Sequence, residues 1–406
     1  MNKNKKIIYK NFIQKEFFSS KNNKLINKKF LNILNSITFN LNSSKSVMNS
    51  LSNKFRFNFK IKDLKRFKKF NTVVMVGMGG SILGSEAIYS FLKKRIKKHF
   101  IFLNDIDEDE LQRIKSKQKL SKILFIIISK SGNTIETLSN IRALKIIKKR
   151  SKNIIIISEK KQNPLYLLSK KMEIFHIEHK NNIGGRYSVL SEVGMVPAYL
   201  MGLNILKLRK NLLKHFSARN KNYLKDSSIK LASILQRKKL NNLIFFNYVP
   251  QLNKFLYWNQ QLIAESLGKK GKGFLPIISS APRDHHSLLQ LYLDGPKDKL
   301  FYVFSSNADN KKKINSNILE KRLNFLNNKS LNQIKIAQKN AFLKTLKKKR
   351  IPFREFKIGD ISEEVLGELF SYFILETVFV GKLANINPFD QPAVEEVKVY
   401  TKKILS

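Results

Sequence analysis

The chain has 406 residues, of which 78 are Lys or Arg and 29 are Asp or Glu, so its formal net charge is +49. Its 42% of hydrophobic residues can fill the cores of two ordinary domains, which argues against intrinsic disorder in spite of the charge. The absence of Cys excludes disulfides, thiolate catalysis and metal or iron–sulfur sites built on Cys.

The excess of positive charge first suggests a polyanionic partner such as nucleic acid or an acidic membrane. However, the chain has 64 Lys and only 14 Arg, whereas nucleic-acid-binding surfaces rely on Arg for bidentate contacts. The lysines are spread from Lys3 to Lys403 and accompany Asn, Ile and Phe, whose codons are rich in A and T. We therefore expect no specific nucleic-acid partner and attribute the charge to compositional drift in an AT-rich genome.

Targeting signals are weak. Residues 1–18 are basic but lack the uninterrupted apolar core of a secretory signal. The longest weakly polar stretch, 189–206, is interrupted by Glu192, Pro197 and Gly202, which makes it a poor transmembrane span. The sequence predicts a cytoplasmic protein with no membrane partner.

The first half of the chain has the pattern of an α/β domain. In residues 1–48, apolar positions such as Phe30 and Leu34 have helical spacing, which predicts a peripheral helical segment. Intervals such as 85–97 and 135–149 are long enough for crossover helices. Short apolar runs without alternation, typical of strands buried on both faces of a parallel sheet, lie at 72–77, 100–103, 123–128, 153–157 and 173–177.

The pattern then starts again after a helix-rich stretch. Further strand-like runs lie at 242–249, 274–279, 300–306 and 351–358. The sequence therefore predicts an α/β fold of two doubly wound, mainly parallel-sheet lobes covered by helices. We expect an N-terminal segment at 1–48, a first domain at 49–210 and a second domain at 211–406.

A glycine-rich loop, GMGGSILG at 77–84, follows the first strand and opens a helix. Such a junction lets backbone N–H groups approach an anion closely. A dinucleotide fingerprint would need Gly at position 82, where Ile stands, and a P-loop would need Lys after Gly84, where Ser stands. Taken alone, the loop leaves anion binding and a plain tight turn both open.

A second loop favours anion binding. Ser129-Lys130-Ser131-Gly132-Asn133-Thr134 follows the buried run 123–128 and precedes a helix. Three hydroxyls and a helix N-terminus at the carboxyl end of a parallel strand suit a phosphate monoester. A Ser/Thr helix cap would account for one hydroxyl but not for three.

The two loops are similar to those of sugar-isomerase phosphosugar-binding domains. Four further motifs extend the likeness: GGRYSVLSEVG (184–194), QLIAESLGKKGKG (261–273), DHHSLLQLYLDGP (284–296) and INPFDQPAVEEVK (386–398). Over roughly residues 72–402 the chain resembles the glucose-6-phosphate (phosphoglucose) isomerase family in its compact bacterial form. The resemblance implies interconversion of glucose 6-phosphate and fructose 6-phosphate through a cis-enediolate, without metal or organic cofactor. The four motifs stand in the same order as in the family.

The resemblance assigns two charged residues to the proton transfer. Glu265 matches the carboxylate that moves a proton between C2 and C1, a task that suits a carboxylate placed over a carbon acid. Arg186 matches the cation that stabilises the enediolate. Predicted substrate-binding residues are Gly80, Ser81, Ser129, Lys130, Ser131, Thr134, Gly185, Gln261 and Gln391.

Two further catalytic residues are implied for ring opening. His286 matches the ring-opening histidine by its spacing to Gln290 and Gly295, although sliding the motif by one residue would select His285 instead. Lys398 matches the assisting lysine. In this family the histidine comes from a second subunit, so a homodimer is implied.

The sequence departs from the family pattern at two places. Ser131 stands in place of Thr, and Pro392-Ala393 stands in place of an aromatic-Gly pair. These departures leave the selectivity among sugar phosphates open.

Alternative functions remain on sequence grounds. The isomerase portion of glucosamine 6-phosphate synthases has two such lobes and a similar Ser-rich loop, but it does not usually carry GGRYS or FDQPxVE-type segments. A non-catalytic phosphosugar sensor would keep the loop but would not need Glu265, Arg186, His286 and Lys398 together. A nucleic-acid-binding protein would instead show a steep salt dependence of binding.

Overall fold

Two five-stranded sheets organise the chain. The structure is a computed structural model that describes residues 6–18, 23–217, 221–306, 313–314 and 321–406. The strands in these ranges are β1 (Ile7–Phe12), β2 (Thr72–Val76), β3 (His99–Leu103), β4 (Ile123–Ile128), β5 (Ile154–Ser158), β6 (Phe175–Glu178), β7 (Asn242–Asn247), β8 (Leu275–Ser280), β9 (Lys299–Ser306) and β10 (Phe353–Ile358).

Helices cover both sheets. Those in the described ranges are α1 (Asn23–Asn40), α2 (Ile61–Leu64), α3 (Leu83–Leu92), α4 (Glu108–Lys117), α5 (Ile135–Leu144), α6 (Pro164–Lys171), α7 (Glu192–Leu200), α8 (Ile205–Arg209), α9 (Lys221–Arg237), α10 (Asn253–Leu267), α11 (Leu289–Asp294), α12 (Leu331–Lys348), α13 (Glu363–Leu383) and α14 (Ala393–Leu405).

The first sheet has the strand order β3-β2-β4-β5-β6, and all of its neighbouring strands are parallel. β4 and β5 are buried at every position, as their runs of Ile, Leu and Phe require. The second sheet has the order β1-β10-β9-β7-β8 and is parallel except for β1. The predicted fold class is therefore confirmed, and a strand forms at each predicted run.

The predicted helical segment at 1–48 is wrong at its start, and residues 1–5 and 19–22 lie outside the described residues. α1 is a helix, but Ile7–Phe12 forms β1, which pairs antiparallel with β10 near the other end of the sequence. Local periodicity does not reveal such a pairing, because its partner strand is distant in sequence. β1 supplies backbone partners to the edge of β10 that would otherwise be unpaired. The domain boundaries at residues 48 and 210 stay predictions.

The two lobes share one core. α3 of the first lobe packs against α10 of the second lobe, and α10 also packs on α13. α13 is buried along almost its whole length. Because α10 bridges the lobes, side chains on its surface lie near loops from both sheets.

A buried ion pair lies within the second lobe. Arg354 on β10 is 0% exposed, and its Nη2 lies 2.8 Å from the Glu376 Oε1 on α13. Its Nη1 donates to Tyr302 Oη at 2.6 Å, and its Nη2 donates to Tyr372 Oη at 2.6 Å. The guanidinium thus ties β9, β10 and α13 together.

Replacing Arg354 with Met should lower the free energy of unfolding by about 3–5 kcal/mol, because it leaves the carboxylate of Glu376 buried without its cation. The double variant Arg354→Met/Glu376→Met should recover much of this loss, since it removes both charges. Urea unfolding followed by circular dichroism measures both effects.

The matched control is Arg350→Met. Arg350 pairs with Glu16 at 2.6 Å, but both side chains are largely exposed, at 72% and 43%. Its loss should cost less than about 1 kcal/mol. Equal destabilisation by Arg354→Met and Arg350→Met would contradict the assigned role of burial.

Candidate active site

The glycine loop after β2 touches the loop that carries Arg186. A Cβ atom on Gly80 would lie 2.2 Å from the carbonyl carbon of Gly185, so only glycine permits this approach. Ser188 Oγ donates to both loops, to Gly185 O at 2.7 Å and to Gly80 O at 3.3 Å. Gly80 and Gly185, which are both predicted to bind substrate, therefore lie side by side. Ser81, a third predicted residue, is half-buried and ends the short helical turn that contains Gly80.

Gln261 reaches this loop from the second lobe. A Cβ on Gly79 would lie 2.8 Å from Gln261 Nε2, and Gly79 has a φ of +51°, which again favours glycine. Gln261 Oε1 is buried without a hydrogen-bond partner among the described residues. The side chain therefore stands at the junction of the lobes with a free acceptor.

The loop after β4 forms a compact set of hydroxyls. Ser129 and Thr134 are hydrogen-bonded through their side-chain oxygens at 2.7 Å, and Ser129 Oγ also accepts from the Gly132 N–H at 3.1 Å. Ser131 Oγ accepts from the Asn133 N–H at 3.3 Å. Thr134 stands at the N-cap position of α5, so the positive end of that helix faces the same loop.

Lys130 in this loop has a carboxylate neighbour. Its Nζ lies 3.7 Å from Glu159 Oε1, and Lys161 Nζ approaches Glu159 Oε2 at 3.0 Å. Burial lowers the pKa of Lys130, and the positive charges of Lys161 and Arg186 lower it further, while Glu159 opposes the shift. The influence of Arg186 on Lys130 links the hydroxyl loop electrostatically to the cluster described next.

Arg186 is the centre of the site. It lies in the short helical turn after Gly184, and it is only 2% exposed. Its guanidinium donates to acceptors from two other segments of the chain: Ser266 Oγ (2.8 Å), Gln391 Oε1 (2.8 Å), Pro388 O (2.7 Å) and Asp390 O (3.1 Å), with Glu265 Oε1 at 3.1 Å as its ion-pair partner.

Glu265 projects from α10 into this cluster. Its side chain is 24% exposed, so it contacts Arg186 on one side and remains accessible on the other. Gln261 lies one turn earlier on the same helical face. The sequence therefore brings a carboxylate and an amide to the point where α10 meets the glycine loop.

The structure brings six of the predicted residues together: Gly80, Gly185, Arg186, Gln261, Glu265 and Gln391. His286 and Lys398 are not among them. His286 is exposed, and Lys398 pairs with Glu395 at 2.7 Å on exposed α14. Within the described ranges, no hydrogen bond or ion pair joins either residue to Arg186 or Glu265.

The segment that carries His286 is nevertheless held firmly. Asp284 is buried and accepts hydrogen bonds from Ser279 Oγ at 2.9 Å and from the Ser280 N–H at 2.7 Å. The neighbouring His285 is hydrogen-bonded through Nε2 to Tyr248 Oη at 2.6 Å. His285 therefore has a partner within the lobe, while the His286 side chain faces outwards.

Sequence reasoning missed the residues that hold Arg186 in place. Tyr187 Oη is bonded to Ser266 Oγ at 2.8 Å and donates to Pro388 O at 2.7 Å. Lys269 Nζ reaches Asp390 Oδ1 at 2.7 Å and fixes the same loop. Tyr187 directly follows Arg186, and Ser266 directly follows Glu265. Their position next to a charged residue of a motif is the one sequence signal from which a supporting role could have been predicted.

Two searches of the described residues were negative. They contain no group of three or more His, Cys, Asp or Glu side chains placed to hold a metal ion. None of the helices in the described part of the chain is both long and apolar enough to cross a membrane.

Comparison with known proteins decides the family. The sequence model of the phosphoglucose isomerase family matches residues 33–406. The chain belongs to the phosphoglucose isomerase family. It is 32% identical over 353 residues to a probable glucose-6-phosphate isomerase of Methanococcus maripaludis, covering 83% of this chain and 78% of that protein.

Other relatives agree with this membership. A glucose-6-phosphate isomerase of Methanocaldococcus jannaschii is 32% identical over 359 residues, covering 83% of this chain and 85% of that protein. The crystal structure of a hypothetical protein from Thermus thermophilus superposes with a TM-score of 0.82 at 24% identity, covering 95% of this chain and 96% of that chain. That structure establishes the shared fold.

His179 provides a test of the packing behind the hydroxyl loop. It is 2% exposed, Nδ1 is hydrogen-bonded to Lys180 O at 2.9 Å, and burial lowers its pKa to about 4. An unfolded His has a pKa of about 6.5, so between pH 6.5 and 4 the unfolded state binds more protons and stability falls as the pH falls.

The variant His179→Gln keeps a side-chain donor but cannot titrate. The free energy of unfolding of the unchanged protein falls between pH 7 and pH 5, and in the variant this fall should be smaller by about 2 kcal/mol. Urea midpoints at the two pH values measure the difference. His176, whose pKa burial also lowers to about 4, remains in the variant and keeps part of the pH dependence. An identical pH dependence in both proteins would contradict this assignment.

Proposed function

We propose that this chain interconverts glucose 6-phosphate and fructose 6-phosphate by acid–base proton transfer through a cis-enediolate. The observation that carries the proposal is the contact of 3.1 Å between Glu265 and Arg186 beside the glycine loop. Membership of the phosphoglucose isomerase family and the names of its relatives support it. As proposed, the chemistry needs no metal or organic cofactor, since each step moves a proton.

The phosphate of the substrate is assigned to the hydroxyl loop. Ser129, Ser131 and Thr134 offer hydroxyls, and the N-terminus of α5 offers a favourable field for a dianion. Lys130 adds a nearby ammonium group. The sugar would then extend towards Gly80, Ser81 and Gly185.

Glu265 is assigned the proton transfer between C2 and C1. Its Oε1 is engaged by Arg186, whereas Oε2 takes no hydrogen bond from the described residues. One oxygen is thus oriented by the guanidinium, and the other can face the carbon acid. The positioning of the sugar is assigned to Gln261, one turn earlier on α10, and to Gln391, whose Oε1 accepts from Arg186.

Arg186 is assigned the stabilisation of the enediolate. Its guanidinium is fixed by four hydrogen-bond acceptors before any substrate arrives, so little reorganisation is needed when negative charge develops. A phosphosugar sensor would have use for the hydroxyl loop but not for this arrangement, which is why catalysis is the better interpretation.

His286 and Lys398 are assigned to ring opening in a homodimer. His286 is exposed in the single chain, so a second copy could receive it. α14, which carries Lys398, exposes apolar side chains, namely Val394, Val397, Val399, Tyr400 and Ile404. Such a helix suits an interface.

We place the activity in the cytoplasm, where sugar phosphates occur.

Replacing Glu265 with Gln should lower kcat by at least about a hundredfold, because general acid–base catalysis contributes about 10²–10⁴. A coupled assay for glucose 6-phosphate formed from fructose 6-phosphate measures the rate. Glu108→Gln, an exposed position on α4, is the matched control and should retain full activity. An unchanged rate in Glu265→Gln would overturn the assignment.

Mixing inactive Glu265→Gln and His286→Ala proteins should restore activity if each site borrows His286 from its partner. Random exchange makes half of the dimers mixed, and each mixed dimer has one complete site, so about a quarter of the wild-type activity is expected. The control is each variant mixed with itself. Failure to recover activity, after mass spectrometry has confirmed mixed dimers, would count against a shared site.

A further inference from the structure

The second sheet repeats the connectivity of the first. The two orders to compare are β3-β2-β4-β5 and β8-β7-β9-β10. In each, the strand that comes first along the chain (β2 or β7) lies in the sheet between the strands that come second and third. The strand order reverses between β2 and β4 in the first lobe, and between β7 and β9 in the second. Ligands of open α/β sheets bind outside the carboxyl ends of the strands at this reversal. The first lobe carries its hydroxyl loop there.

Ser305 on β9 occupies the position that Ser129 occupies after β4. At the amino ends of the sheets, Ile123 on β4 pairs with Thr72, and Lys299 on β9 pairs with Asn242. Ser129 is the sixth residue after Ile123, and Ser305 is the sixth residue after Lys299. Both lobes therefore place a serine hydroxyl at the same register position.

A small cavity opens beside Ser305. It is lined by Tyr248 from the end of β7 and by Asn332, Lys335 and Lys339 from α12. Its volume is about 20 Å³. A space of about 10–15 Å³ on this measure holds one water, so one or two oxygen atoms fit and a hexose does not.

The Ser305 hydroxyl is available to a ligand. The residue is 4% exposed, and its Oγ is buried without a hydrogen-bond partner among the described residues. A buried hydroxyl without a partner is unfavourable, whereas Ser129 at the matching position bonds to Thr134 and Gly132. An oxygen atom in the cavity would satisfy the Ser305 donor.

The charges around the cavity favour an anion. Lys339 is 6% exposed, and its Nζ lies 2.7 Å from Glu355 Oε1, while Lys10 approaches the second oxygen of that carboxylate at 3.5 Å. Lys335 lies on the cavity wall one turn earlier on α12. Lys335 and Lys339 therefore line the cavity, against the single carboxylate that pairs with Lys339, which leaves a net positive charge.

We propose that this cavity is the inner part of a second anion site, which takes one or two oxygens of a small tetrahedral dianion such as inorganic phosphate. Ser305 Oγ donates to one oxygen, and Lys335 and Lys339 neutralise the charge. The site is separate from the hydroxyl loop assigned to the substrate, since it belongs to the other sheet. Tyr248 on its wall is bonded to His285, the neighbour of His286.

Calorimetric titration with inorganic phosphate tests the proposal on the full chain. The background carries Ser129→Ala and Thr134→Val, so that the hydroxyl loop is disabled and one binding event should remain. Adding Lys335→Glu should weaken that event by at least about tenfold, because it replaces an attractive charge with a repulsive one. Ser305→Ala, which adds no bulk, should weaken it severalfold.

The matched control is Lys348→Glu on the same helix. It makes the same change of charge at an exposed position outside the cavity and should leave the affinity within about twofold. No binding in the background variant would overturn the proposal, and so would equal weakening by Lys335→Glu and Lys348→Glu, which would indicate general attraction to a basic surface. The titration needs no turnover, so its result is independent of the proposed isomerase activity.

Discussion

A guanidinium that is almost fully buried must find an acceptor for each of its N–H groups, and Arg186 finds them in two distant segments. Ser266 and Glu265 lie on α10 of the second lobe, while Gln391 and two carbonyl oxygens lie in the loop before α14. An unpaired buried charge is strongly destabilising. The contacts that satisfy this cation therefore also join the two lobes, so the geometry of the candidate site depends on how the lobes are docked.

Much of the fold follows from local sequence. Strands buried on both faces must be continuous runs of Ile, Val, Leu and Phe, and each such run forms a strand. β1 could not be predicted in this way, since IIYKNF is half-polar and its pairing with β10 is long-range. In the candidate site, the motifs predicted Arg186 and Glu265, whereas for Tyr187 and Ser266 the sequence offers only their adjacency to these two residues. Their contacts depend on the packing of three segments that are distant in sequence.

The ion pairs in the interior determine where the excess positive charge of the chain lies. The scarce carboxylates include several that are buried beside cations: Glu355 with Lys339, Glu368 with Lys214, and Glu376 with Arg354. Acidic residues committed to such pairs cannot balance exposed lysines. Most of the excess charge of +49 therefore lies on the outer surface. The interior stays close to neutral, because an unpaired charge is costly in a medium of low dielectric constant.

The span of the Arg186 contacts also sets an order of events during synthesis. Gln391 lies 205 residues after Arg186, so the first sheet can emerge from the ribosome long before the guanidinium meets its last acceptors. Until then, the loop that follows Gly184 holds a cation without its full set of partners. A nascent or truncated chain that lacks the segment 388–391 would carry every residue of the hydroxyl loop but would leave the Arg186 guanidinium without three of its acceptors.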